Sequence, residues 1–121
     1  MVVDDEPSVR AVMAFALRRA GHTVYEAATG GEALACLSRH GHQIALLVTD
    51  VMMPGMNGRQ LAAEAERHWP HLGVLYVSGY IDEDLLKGFQ LNTITLLSKP
   101  FQIDHFTAKV EELLRSSKKT F

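Results

Sequence analysis

Uninterrupted apolar runs alternate along this chain with stretches whose apolar residues recur every three to four positions, a pattern that predicts strands and helices in turn. Met1 to Val3 reads as a short first strand. Pro7, harmless in a helix's first turn where its missing N–H has no partner to lose, opens a helix with Val9, Val12, Met13, Ala16, Leu17 and Ala20 facing inward. Gly21 stops it. Thr23 to Ala27 reads as a second strand, and Thr29 or Gly30 begins a helix carrying Ala33, Leu34 and Leu37. Gly41 punctuates before the third strand.

That third strand, Leu46-Leu47-Val48-Thr49-Asp50, lacks polar alternation and so reads as buried on both faces. It ends in a carboxylate, followed by the loop Met52-Met53-Pro54-Gly55-Met56-Asn57-Gly58. Leu61, Ala62, Ala65 and Trp69 make the inner stripe of the next helix, which Pro70 terminates. Val74 to Ser78 is a fourth strand, Asp82 to Gln90 a short helix with Leu85, Leu86 and Phe89 inward, and Leu96 to Ser98 a fifth strand. The last helix, Ile103 to Arg115, buries Ile103, Phe106, Val110, Leu113 and Leu114, leaving Ser116 to Phe121 as a frayed, exposed tail. Five strands alternating with five helices imply an α/β domain, a doubly wound parallel sheet covered on both faces.

Length and composition narrow the picture. At 121 residues the chain suits one domain, residues 1–121, with one core. Twelve basic residues against fourteen acidic give a formal charge of −2, which offers no electrostatic footprint for nucleic acid. The lone Cys36 cannot form an internal disulfide, and neither a signal segment nor a membrane-length apolar run is present, so a reducing cytoplasm is expected. No repeat or linker divides the chain.

Candidate chemistry gathers at the carboxyl ends of the strands, where ligands bind in open α/β sheets. The first strand runs into Asp4 and Asp5, the third into Asp50, the fourth into Ser78 and the fifth into Lys99. An aspartate often serves only to start a turn. Here three clustered carboxylates would repel one another and call for a hard, oxygen-seeking cation, Mg²⁺ or Mn²⁺, and a neighbouring lysine and hydroxyl suit phosphoryl oxygens. For these groups to meet, the first and third strands must be neighbours, as in the flavodoxin-like order 2-1-3-4-5.

Asp4-Asp5, Asp50 with Pro54 and Gly58 following, Ser78-Gly79 and Lys99-Pro100-Phe101 together resemble the receiver domain of two-component response regulators, over nearly the whole chain. The resemblance implies that Asp50 accepts a phosphoryl group from a phosphohistidine on a histidine kinase or phosphotransfer domain. It implies that Asp5, Asp50 and the backbone carbonyl of Met52 bind Mg²⁺, that Asp4 helps directly or through water, that Ser78 and Lys99 contact the phosphoryl oxygens, and that Lys99-Pro100 is a cis peptide. Phosphorylation would draw Ser78 towards the phosphate and rearrange the surface of the fourth helix, fifth strand and fifth helix, the expected interface for a partner or a homodimer.

The chain departs from that pattern at Leu96, where many receivers carry an aromatic switch residue. Met52 and Tyr80 occupy positions that flank the phosphoryl group, and their bulk is expected to impede attacking water. The segments around Ser78 and Lys99 look most like receivers of hybrid sensor histidine kinases, with a transcription-regulator or stand-alone receiver as alternatives; the short first strand favours excision from a longer chain. Six histidines include His40-Gly41-His42 and His68-Trp69-Pro70-His71, whose Gly and Pro keep each pair off a shared helical face and argue against a metal site. Met52, Met53 and Met56 form a soft apolar loop surface. Thr29-Gly30-Gly31-Glu32 lacks nucleotide-loop spacing. A haloacid-dehalogenase-type phosphatase would want an Asp where Met52 stands, and a degenerate, purely protein-binding receiver would normally have lost an acid or the lysine.

Overall fold

A computed structural model of the chain describes residues 1–78, 96–98 and 103–119. The strands β1 (Val2–Val3), β2 (Glu26–Ala27), β3 (Leu46–Asp50), β4 (Gly73–Ser78) and β5 (Leu96–Ser98) form one parallel sheet in the order β2-β1-β3-β4-β5. This is the flavodoxin-like order expected from the sequence. Helices α1 (Pro7–Arg19), α2 (Gly30–His40) and α3 (Gly58–His68), a 3₁₀ turn at Gly41–Gln43 and a C-terminal helix at Ile103–Lys119 complete the described elements. The helix expected between Asp82 and Gln90 lies outside the described residues.

Side chains alternate across the sheet, so β1, β3 and β4 each feed two separate cores. Val2, Val48, Leu75 and Val77 pack under α1 and the C-terminal helix, with Met13, Leu17, Phe106 and Val110. Val3, Leu47 and Ala27 face the opposite side, under α2 and α3, with Ala33, Leu37, Leu61 and Ala65. All five residues of β3 are buried, as its unbroken apolar run requires of a central strand covered on both faces.

Local signals set the helix ends. The Thr29 hydroxyl accepts from Glu32 N at 3.1 Å and caps α2. Asn57 and Gln60 form a capping box at α3, each side chain accepting from the other's backbone N–H at 2.9 Å. Arg18 and Arg19 lie in the last turn of α1, where the helix dipole favours cations. At the amino-terminal edge of the sheet a Cβ on Gly41 would collide with the Trp69 indole, so only glycine admits that close approach.

The structure corrects four expectations. Val12 is 49 % exposed and Ala20 is exposed, while Ala14 is fully buried: α1 covers the sheet with a narrower stripe, Met13, Ala14, Ala16 and Leu17, than helical spacing alone implies. Ile103 is likewise exposed; with Val12 and Phe15 it borders an open groove between α1 and the C-terminal helix. The second strand is only Glu26–Ala27, because its ladder partner β1 is itself two residues long. The final helix continues past Arg115 to Lys119, over residues expected to fray.

Candidate functional site

Each acidic residue reaches the site by a different backbone route. Val2 pairs with Val48 and Val3 with Thr49, so carrying the register one residue further sets Asp4 beside Asp50 on the α1 face of the sheet. Asp4 is fully buried; its backbone N–H donates to Ala27 O at 3.2 Å and its Oδ1 accepts from Glu6 N at 2.9 Å. Asp50 is 5 % exposed, and its Oδ1 accepts from Met52 N at 3.3 Å, a turn of the kind aspartate commonly makes. Asp5, one residue into the loop, is exposed to solvent.

The three carboxylates converge: one oxygen from each of Asp4, Asp5 and Asp50 lies within 4.8 Å of the others. At that separation each pair of ionised carboxylates repels by about 3 kcal/mol even at an effective dielectric of about 20. A hard divalent cation among them relieves that repulsion, and an all-oxygen donor set at a half-open edge suits Mg²⁺, which keeps several of its waters. The donor set therefore fits the ion expected from the sequence.

The loop after Asp50 is held by its own chemistry. Val51 N donates to Val77 O at 3.1 Å and Gly58 N to Val51 O at 2.9 Å, closing the loop back on β3. A Cβ at Gly58 would overlap the carbonyl oxygen of Asp50, so the start of α3 can lie this close only as glycine. Of the three methionines expected to form an apolar surface, only Met52 is exposed, at 65 %; Met53 is buried and Met56 packs into the α2–α3 core.

Ser78 ends β4 and pairs with Ser98, and Leu96 opens β5 opposite Tyr76, so strands four and five deliver their ends to the same edge as Asp50. The Ser78 and Leu96 side chains, and Tyr80, Lys99 and Pro100, lie outside the described residues. Three of the histidines singled out earlier have other work. His40 stacks on Tyr25 at 4.5 Å, His68 pairs with Glu64 at 3.4 Å, and His71 Nε2 lies 3.2 Å from both Gly41 O and Ile44 O. Arg10, which helical spacing leaves on the polar side of α1, donates from Nη1 to Asp4 O at 2.8 Å. The sole trace of this in the sequence is the six-residue step from Asp4 to Arg10.

The family model for the response regulator receiver domain matches residues 1–111. The chain belongs to this family. Among relatives, it is 34 % identical over 115 residues to the sensor kinase CckA of Brucella abortus (strain 2308), covering 94 % of this chain and 12 % of that protein. It is 35 % identical over 114 residues to the DNA-binding transcriptional regulator NtrC of Salmonella typhimurium, covering 93 % of this chain and 24 % of that one. The chain thus spans only a minor part of the relatives it matches. The crystal structure of a receiver domain from the hybrid histidine kinase CckA superposes with a TM-score of 0.80 at 35 % identity, covering 93 % of this chain and 95 % of that one. Receivers act in two-component signalling with histidine kinases or phosphotransfer partners, and bind Mg²⁺ at an acidic pocket. Among the described residues no helix is long and apolar enough to cross a membrane.

Proposed function

We propose that residues 1–121 act as one Mg²⁺-dependent phosphoacceptor unit in which Asp50 takes a phosphoryl group from the phosphohistidine of a histidine kinase or phosphotransfer domain. The supporting observation is the convergence of Asp4, Asp5 and Asp50 within 4.8 Å at the carboxyl edge of the sheet. An Asp50 carboxylate oxygen attacks phosphorus, the P–N bond of the donor histidine breaks, and the departing imidazole nitrogen takes up a proton. The product is an acyl phosphate, which water later cleaves to restore the carboxylate. Asp4, Asp5, Asp50 and the Met52 carbonyl would hold Mg²⁺ or Mn²⁺, which would supply positive charge where negative charge gathers on the phosphoryl oxygens. Ser78 and Lys99 contact those oxygens, and Met52 and Tyr80 limit the approach of water.

The parent protein is a hybrid sensor histidine kinase, a context supported by the likeness to the CckA receiver; NtrC-type regulators are the alternative. The domain itself catalyses only its own phosphorylation and dephosphorylation, works in the cytoplasm and makes no direct contact with nucleic acid. Its fourth helix, fifth strand and last helix serve as the partner or homodimer surface.

The test is incubation with Mg²⁺ and acetyl phosphate, or with beryllofluoride, followed by intact mass and amide NMR. One phosphoryl group added to the wild type, and none to Asp50→Asn, is the expected result. Shifts spreading from Ser78 to the last helix mark a switch; an adduct without them marks a relay, in keeping with Leu96. Absence of any adduct or Mg²⁺-dependent shift overturns the proposal.

A further inference from the structure

Arg10 joins three elements near the acidic site. Standing on α1, it donates from Nη1 to the carbonyl oxygen of Asp4 at 2.8 Å, and its Nε lies 3.6 Å from Glu26 Oε1 on β2. Glu26 is in turn gripped from the other side by Arg18 Nη1 at 2.9 Å, and Arg18 Nη2 donates to Val24 O at 2.9 Å. Val2 and Glu26 are register partners, so this network lies on the α1 face of the sheet, one step from the acids.

The Asp4 carbonyl belongs to the peptide plane that leads into Asp5. The Asp4 carboxylate has its own anchor in Glu6 N, whereas the exposed Asp5 carboxylate takes no hydrogen bond among the described residues. Asp5 is therefore aimed by its backbone, and that backbone is held by Arg10.

We propose that Arg10, oriented by Glu26, is a positioning residue that fixes the Asp4–Asp5 peptide and thereby holds Asp5 where it meets Asp4 and Asp50 around a divalent cation. The proposal rests on the acidic trio being the Mg²⁺ site. Charge and geometry act in opposite directions: a guanidinium beside the trio repels a cation, so its removal on electrostatic grounds alone would tighten binding. Loss of an outer partner that orients a ligand weakens it, commonly by tenfold or more.

The experiment is titration of the 121-residue chain with Mg²⁺, followed by amide NMR and by calorimetry, for wild type, Arg10→Gln, Arg10→Lys and Glu26→Gln. Arg10→Gln is expected to raise the Mg²⁺ dissociation constant about tenfold. Arg10→Lys, which keeps the charge but cannot span the Asp4 carbonyl and Glu26 together, is expected to do much the same, with Glu26→Gln intermediate. The Asp5 amide should shift in the Mg²⁺-free variants. Affinity equal to wild type in the folded Lys or Glu26→Gln variant, or tighter binding in Arg10→Gln, overturns the positioning role, even if thermal stability falls. Failure of the underlying reading is separate: it is wild-type protein whose Mg²⁺ response survives Asp5→Asn and Asp50→Asn.

Discussion

The Cα of Gly58 sits against the carbonyl oxygen of Asp50, with no room between them for even a methyl group. Gly58→Ala must therefore push α3 away from the end of β3 or bend the loop between them. A loss of about 2–3 kcal/mol is expected from such overpacking, read as a lower urea midpoint with an unchanged slope. Because the displaced carbonyl belongs to Asp50, the proposed phosphoacceptor, acetyl phosphate should also modify this variant more slowly than wild type.

Met52 stands 65 % exposed while its backbone N–H bonds the Asp50 carboxylate. Its side chain can change without disturbing the core. Met52→Asn is expected to quicken loss of the phosphoryl group about fivefold, or ~1 kcal/mol of barrier, whereas Met52→Leu leaves the decay as it was. Equal decay rates for Met52→Asn and wild type, followed by intact mass after removal of the donor, would remove Met52 from this role.

Asn57 closes the capping box at the start of α3, directly after the loop from Asp50. Asn57→Ala leaves Gln60 N without its acceptor, while the Asn57 N–H keeps Gln60 Oε1, and should cost about 1 kcal/mol. Asn57→Ser, which keeps an acceptor, should recover most of it. Thermal melts of the two variants side by side decide the point.

In the isolated 121-residue chain the α-amino group of Met1 donates to Leu46 O at 2.9 Å, and burial lowers its pKa from 8.0 to about 6. The unfolded chain then binds the extra proton between pH 6 and 8, so unfolding free energy rises with pH across that window. The contribution is complete above pH 8 and lost as pH falls through 6, up to about 3 kcal/mol from a shift of this size. Denaturation of the 121-residue chain from pH 5.5 to 8.5, compared with chain acetylated at the α-amine, isolates the effect from the histidines. The slope should flatten on acetylation.

The central architecture was legible because it rests on strong local contrasts. Leu46 to Asp50 reads as a doubly covered strand, and the four strand ends carrying Asp4 and Asp5, Asp50, Ser78 and Lys99 pointed to one edge. Widths and extents were less legible, since they depend on the neighbour. Val12 satisfies helical spacing yet lies exposed, because how far α1 rolls onto the sheet is set by tertiary packing with Phe106 and Val110. Likewise β2 extends only as far as β1 can pair with it. Arg10 stayed hidden for a related reason: an arginine on a polar helix face has no pattern to distinguish a solvated residue from one donating to the Asp4 carbonyl. Gly58, by contrast, was marked by its place in a motif, and the structure supplies the steric reason.

The order β2-β1-β3 carries a consequence for a chain still being made. Asp4 is made two strand–helix units before its partner Asp50, and the two meet only once β3 has docked beside β1. A chain in which β3 has not docked therefore holds the acids apart and, on the proposed function, lacks its assembled site. On that reading, readiness to signal is a property of the finished sheet, and loss of β1 alone is enough to end it.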